Sequence, residues 1–355
     1  MTALADWPIF GWADDVRPAL ADMAACGASG VLATLYKVVG GSPRPAGSQM
    51  LITEGRLHGY LSGGCIEGDI AAHAEDVLAS GRPQRLAYGE GAAFADIRLV
   101  CGGRVDILLE PLLVGDAAVA ALLKAYAART PCLWASDGLD RICVPPDAVR
   151  GLTGWGPAAS AFAGLAAHPD VLCVNVSEGA AVGRRYEPAG RLIVVGQDPT
   201  ALAIASLASQ SGFDTHLLRP KGPTTPPPLP GVVYHRGAVV EALEAIGLDP
   251  WTYVAVATHA LEEDEAALLT ALPSPAAYVG VLGAQRRLPE RLARLRGHGV
   301  TPDVLERLHA PIGLDLGGKA PFEIAIAVLA EIMAEANLRR PKAAIDCARS
   351  GTRAA

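Results

Sequence analysis

From Arg191 onward the chain alternates apolar runs with helical segments, and this constrains its architecture more than any other feature. Leu192-Ile193-Val194-Val195 ends on Gly196, residues 201–209 read as a helix stopped at Gly212, and 213–218 is the next apolar run. Residues 253–257 and 278–283 repeat the unit. Apolar strands separated by helices belong to a parallel sheet covered on both faces. The expected fold class is therefore α/β: a mixed α/β domain over residues 1–188 and a Rossmann-like parallel-sheet domain over 189–355. The 355-residue length suits two cores. The tract 223–230, rich in proline, reads as a surface loop inside the second domain.

The N-terminal half follows a different pattern. Val16, Leu20 and Met23 recur at helical spacing, so a helix is expected over 15–26, stopped by Gly27. Residues 30–39 form an apolar, β-branched run that reads as a buried strand, and hairpin-like strands follow around 50–52 and 57–61. Ile66, Ile70, Ala74, Val77 and Leu78 lay an apolar stripe along a helix that ends near Gly81, and 105–110 is another strand. Between 115 and 188 the pattern gives a helix and several short strands, with no motif to which chemistry attaches.

Three glycine-rich loops interrupt this half. The first holds Gly41, Ser42, Arg44 and Ser48; the second is Ser62-Gly63-Gly64-Cys65 with Glu67 behind it; the third is Cys101-Gly102-Gly103, followed by Glu110 at the end of the next strand. Paired glycines let the backbone bend sharply and approach a bound group, and a thiol in such a bend faces solvent or ligand. Their closeness in sequence suggests one site. Cys65 is the candidate reactive group, because it falls at an expected helix N-terminus, where free N–H groups and the helix dipole favour anions and lower a thiol pKa. Arg44, set between two prolines, is read as a fixed cation for a ligand. Cys26, Cys132, Cys143, Cys173 and Cys347 are read as packing or incidental thiols.

Composition narrows the partners. A net charge of −7 with no basic tail or stripe argues against nucleic acid. No apolar run reaches membrane-spanning length, and residues 1–10 carry Asp6 and no basic residue, so neither a membrane span nor a signal peptide is expected. Seven cysteines without CxxC pairing fit free thiols in the cytoplasm and give no zinc framework.

These motifs resemble the XdhC/CoxI family, accessory proteins that mature molybdenum hydroxylases such as xanthine dehydrogenase. The resemblance rests on Gly41-Ser42-Pro43-Arg44, Gly47, the segment 62–67 and Cys101-Gly102-Gly103 in the first half. In the second it rests on Val194-Val195-Gly196, Thr258-His259 with Asp264, Gly280-Val281-Leu282-Gly283 with Arg286-Arg287, and the run 310–318. It implies an N-terminal domain that handles molybdenum cofactor (molybdopterin) while a cysteine desulfurase supplies sulfur, and then delivery to a xanthine dehydrogenase-like apo-enzyme. On that reading the glycine loops and Arg44 meet the cofactor's phosphate, Cys65 or Cys101 faces the molybdenum or its sulfur, and Glu67 hydrogen-bonds the pterin. Gly196 and His259, at strand ends, are the binding candidates of the second domain. A homodimer is expected, because the apolar residues of the helix 322–336 spread around more of its circumference than one sheet face needs.

Two readings from other classes compete. A nucleotide-dependent oxidoreductase would use the Rossmann-like domain, but a dinucleotide fingerprint wants glycine where this chain has Asp198 and an acidic residue where it has Leu218. NAD(P) is therefore not expected. A cofactor-free adaptor would make every glycine loop structural.

Overall fold

The computed structural model describes residues 14–89, 99, 102–151, 157–176, 180–258 and 260–347. The chain divides into two compact units, Met1–Pro188 with Pro341–Ala355, and Ala189–Arg340.

The first unit opens with α1 (Arg17–Ala25), β1 (Gly30–Val39), β2 (Gln49–Thr53) and β3 (Arg56–Gly59), then α2 (Glu67–Ser80), β4 (Gln84–Gly89) and β5 (Arg104–Leu112). The five strands form an antiparallel sheet in the order β3-β2-β1-β5-β4. One face carries Val31, Ala33, Leu35, Met50 and Ile107, on which α2 packs Ile70, Ala74 and Val77. The other turns Leu32 and Leu51 toward Leu20 and Met23 of α1. Burial on both faces is why β1 reads as a continuous apolar run and not as an alternating one.

Next come α3 (Ala117–Ala127), the hairpin β6 (Cys132–Ser136) and β7 (Arg141–Val144), α4 (Pro157–Ala167), and a second hairpin of β8 (Val171–Val176) and β9 (Ala181–Tyr186). Glu110 on β5 is buried and accepts hydrogen bonds from Trp134 Nε1 at 3.2 Å and from the Ser136 hydroxyl on β6. Burial pushes its carboxyl up to about 7 despite the nearby Arg141 charge.

The second unit alternates as its sequence predicts. It runs β10 (Arg191–Gly196), α5 (Pro199–Gln210), β11 (Asp214–Leu218), β12 (Val232–His235), α6 (Val239–Ile246), β13 (Thr252–Ala257) and α7 (Leu261–Ala271). It continues through β14 (Tyr278–Val281), α8 (Leu288–Gly297), the short α9 (Pro302–Leu305), β15 (Leu308–His309) and α10 (Pro321–Arg339). The sheet is parallel throughout, in the order β12-β11-β10-β13-β14-β15. This is the doubly wound Rossmann order, with the topological switch between β10 and β13. Leu192 and Val194 point to the α5 and α10 side, and Ile193 and Val195 to the side of α6 and α7.

After α10 the chain returns to the first unit. The strand β16 (Ala343–Cys347), assigned from sequence to the second domain, pairs in parallel with β8 and completes a sheet of order β16-β8-β9-β6-β7. Pro341 cannot continue α10, which ends at Arg339, and the extended Ala-Ala-Ile-Asp-Cys segment supplies an edge for β8. Among the described residues, no helix is long and apolar enough to cross a membrane.

Candidate functional site

The structure gathers the three glycine loops of the first unit. The loop after β1 touches both of the others. Gly40 and Gly41 lie against Gly102 and Gly103 backbone to backbone, so closely that a Cβ on Gly103 would stand 1.9 Å from the Gly41 carbonyl oxygen. Arg44 in the same loop reaches Tyr60, at the root of the second loop, where its guanidinium lies 4.5 Å from the ring centroid and Nη1 donates to the hydroxyl at 3.2 Å. Its Nη2 pairs with Asp14 at 2.6 Å. Leu61, Ile66 and Leu99 sit in one core, so the second and third loops spring from the same packed base.

The second loop is organised by an ion of its own. Glu67, the first residue of α2 and only 1% exposed, turns its carboxylate back into the loop. Oε1 accepts from the backbone N–H of Leu61 at 2.9 Å, Ser62 at 2.6 Å and Gly63 at 3.1 Å; Oε2 accepts from Gly64 N at 2.8 Å and the Ser62 hydroxyl at 2.6 Å. The Ser62 oxygen in turn accepts from Cys65 N at 3.0 Å. Burial opposes ionisation of Glu67, but the hydrogen bonds from Ser62 and Leu61 outweigh it and bring the carboxyl down to about 2. Gly63 and Gly64 adopt φ of +91° and +118°, which lets successive N–H groups converge on one carboxylate.

This overturns two expectations. The amides that were to cradle a ligand's phosphate are already bonded to Glu67, and Glu67 is committed to the loop and not free for a pterin. What the loop offers outward is Gly63, Gly64 and the thiol of Cys65, all exposed. Cys65 lies two residues before the helix proper, with its own N–H spent on Ser62. The site's outer surface is thus a thiol on a loop tip braced from behind, with exposed Gly41 and Gly102 and half-buried Ser42 on the two adjoining loops.

The other predicted residues divide. Ser48 is buried in the turn that begins β2, its carbonyl accepting from Leu35 N at 2.9 Å, and Gly103 is buried between strand ends. Cys101 and His259 lie outside the described residues. Sequence reasoning missed Tyr60, which carries the Arg44 contact, and the internal role of Glu67. The signal for the latter was an acidic residue opening a helix directly after a glycine pair, the place where an anion is most stabilised.

At the switch point of the second unit, Gly196 is required by packing, since a Cβ would meet the Ala257 carbonyl oxygen at 2.4 Å and the Ala201 methyl at 2.7 Å. Asp198 is the N-cap of α5 and accepts from Ala201 N at 2.8 Å, so a carboxylate already occupies the helix terminus where a dinucleotide's diphosphate would sit. Leu218 is fully buried, and Arg219 Nη2 donates to the Gln197 carbonyl at 3.0 Å. Thr258 donates to Asp264 at 2.8 Å, and Asp264 also receives Arg291 at 2.8 Å. Among the described residues no group of three or more His, Cys, Asp and Glu side chains is placed to hold a metal ion.

Comparison with known proteins follows the same division. The molybdenum cofactor insertion chaperone PaoD of Escherichia coli (strain K12) is 29% identical over 308 residues, covering 86% of this chain and 83% of that protein. A probable xanthine dehydrogenase component of Bacillus subtilis (strain 168) is 25% identical over 339 residues, 85% of this chain and 92% of that one. A crystal structure described as a xanthine dehydrogenase from Bacillus halodurans has the same fold, with a TM-score of 0.67 over 91% of this chain and 96% of that one at 23% identity. The XdhC Rossmann domain model matches residues 192–332 and the XdhC and CoxI family model matches residues 23–89, one in each half, and the chain belongs to the XdhC and CoxI family.

Proposed function

We propose that this protein binds molybdenum cofactor as cargo at the three-loop surface of its first unit, holds it while sulfur is added, and delivers it to a xanthine dehydrogenase-like apo-enzyme. The observation that carries the reading is the exposed Cys65 thiol on a loop locked from behind by Glu67 and flanked by Arg44. A soft sulfur on a braced loop tip suits a molybdenum–dithiolene centre or its terminal sulfur. Similarity to an insertion chaperone over most of the chain supports the same role. With the loop amides bonded to Glu67, the cargo's phosphate falls to Arg44 and to the neighbouring loops at Gly41, Ser42 and Gly102. A cysteine desulfurase is the proposed sulfur source, and the cytoplasm the proposed compartment. Asp198 at the α5 terminus weighs against the oxidoreductase reading.

Cys65→Ala tests the proposal. Because the side chain is exposed, its loss is expected to move the thermal midpoint by no more than about 2 °C. Cofactor retained after purification from a cofactor-producing host, read as released pterin and molybdenum, is expected to fall about tenfold or more, the value of one good contact. Full retention by the variant would sink the assignment of Cys65.

We also propose a homodimer with its contact on α10; the exposure of Phe322, Ile326 and Leu338 (57%, 53% and 77%) beside buried Val328 and Ile332 supports this reading. Light scattering is expected to give twice the 36.6 kDa chain mass. A monomer persisting at high micromolar concentration would remove this contact from the proposal.

A further inference from the structure

Two adjacent carboxylates, Asp14 and Asp15, each hold an arginine, and they hold them in different ways. Asp15 grips Arg17 with both oxygens, Nε donating to Oδ1 at 2.8 Å and Nη2 to Oδ2 at 2.8 Å, a fork on a guanidinium whose side chain is only 5% exposed. Asp14 meets Arg44 at one donor, Nη2 at 2.6 Å, and its own side chain is 60% exposed. The Nε of Arg44 shares that edge of the guanidinium, and it is buried with no hydrogen-bond partner among the described residues. The other end of the guanidinium is fixed by Tyr60, whose hydroxyl accepts from Nη1 at 3.2 Å and whose ring centroid lies 4.5 Å away. Arg44 is thus held in place at one end and half-filled at the other.

We propose that the Nε–Nη2 edge of Arg44 is a phosphate subsite, and that Asp14 is a built-in stand-in anion that occupies it until a phosphate-bearing ligand displaces it. That the ligand is molybdenum cofactor rests on the function proposed above; the competition of two anions for one edge does not. The Asp14 contact is weak enough to exchange, because an exposed ion pair with a single N–O contact is screened by water and salt. A phosphomonoester has more to offer the same edge. It carries close to two charges and three terminal oxygens, so two of them can take Nε and Nη2 together, in the fork that Asp15 makes on Arg17. It thereby satisfies the buried Nε that Asp14 leaves without a partner. An anion with one charge and one contact gains little over Asp14, so the carboxylate also keeps chloride off the edge. When the ligand leaves, Asp14 returns and opposes its rebinding, which suits a protein that must give up what it holds.

The test uses the full-length protein with arginine-selective ¹⁵N labelling, in which each Nε–H gives a signal and that of Arg44 is identified by its loss in Arg44→Gln. Titration with inorganic phosphate, at an ionic strength held constant with sodium chloride, is expected to move the Arg44 signal. The midpoint is expected to be about three- to fivefold lower in Asp14→Asn than in the wild type, the upper range for one exposed ion pair. Because Asp14 is exposed, both proteins are expected to melt alike. An Arg44 signal that phosphate leaves unmoved in both proteins overturns the subsite, and equal midpoints overturn the role of Asp14. Retained cofactor is read separately in Arg44→Gln, where a loss of about tenfold is expected. Full retention there would remove molybdenum cofactor as the ligand, whatever the phosphate titration shows.

Discussion

Glu67→Ala is expected to destabilise the first unit by about 3–5 kcal/mol and to abolish cofactor retention with it. The carboxylate satisfies the N–H groups of Leu61, Ser62, Gly63 and Gly64 together with the Ser62 hydroxyl, and Leu61 is fully buried. An unsatisfied buried donor costs about 1–3 kcal/mol, and the outer glycine amides recover part of their loss from water. Glu67→Gln keeps the shape but turns an N–H₂ toward donors, so about half the loss is expected to remain. Chemical denaturation and cofactor retention measured on the same preparations check both. An Ala variant within about 1 kcal/mol of wild type would mean that the loop holds its form without the ion.

The same carboxylate sets an acid limit. Its folded pKa of about 2 lies below the ordinary glutamate value of 4.5, so the folded state binds the proton less readily than the unfolded chain. Its contribution is complete above the unfolded value, declines as the pH falls below about 4.5, and is gone below about 2. The gap corresponds to roughly 3 kcal/mol. In Glu67→Gln that part of the acid dependence between pH 4.5 and 2 is expected to disappear.

How much of this the sequence disclosed depends on what each segment packs against. The second unit was legible because β10, β13 and β14 are buried on both faces, which leaves unbroken apolar runs between helices. The edge strands β12 and β15, of four and two residues, are too short and too half-buried to leave such a trace. In the first unit, β1 and α2 stood out for the same reason of burial, while the sheet containing β6 to β9 was seen only as scattered short strands. Its outer member β16 comes from the far end of the chain, a pairing no local pattern encodes. At the site, the glycines and Cys65 were visible as a motif. The occupant of the loop was not: spacing shows that a helix begins near Glu67, but only geometry shows whether its amides await a ligand or already hold a side chain.

The pair Gly102 and Gly103 separates these two kinds of information again, and predicts unequal costs for one chemical change. Gly102 has a φ of +69°, with no atom within 4 Å of where a Cβ would stand. Gly102→Ala therefore meets only the left-handed backbone penalty, about 1–2 kcal/mol. Gly103 carries no such φ, yet its Cβ would lie 1.9 Å from the Gly41 carbonyl oxygen and 2.9 Å from that of Val39. Both obstacles are backbone atoms, and that of Val39 belongs to the β1–β5 ladder, which pairs Val39 with Arg104, so neither can swing aside as a side chain would. Gly103→Ala is expected to cost roughly 4 kcal/mol or more, by prising the first and third loops apart or parting the ladder at its end. Thermal melts of the two variants check the order. Retained cofactor adds a second reading, because parted loops would dissolve the three-loop surface even where the remainder of the unit stays folded. Equal midpoints for the two variants would show that the loops do not touch in solution, and the proposed binding surface would shrink to the Cys65 loop and Arg44.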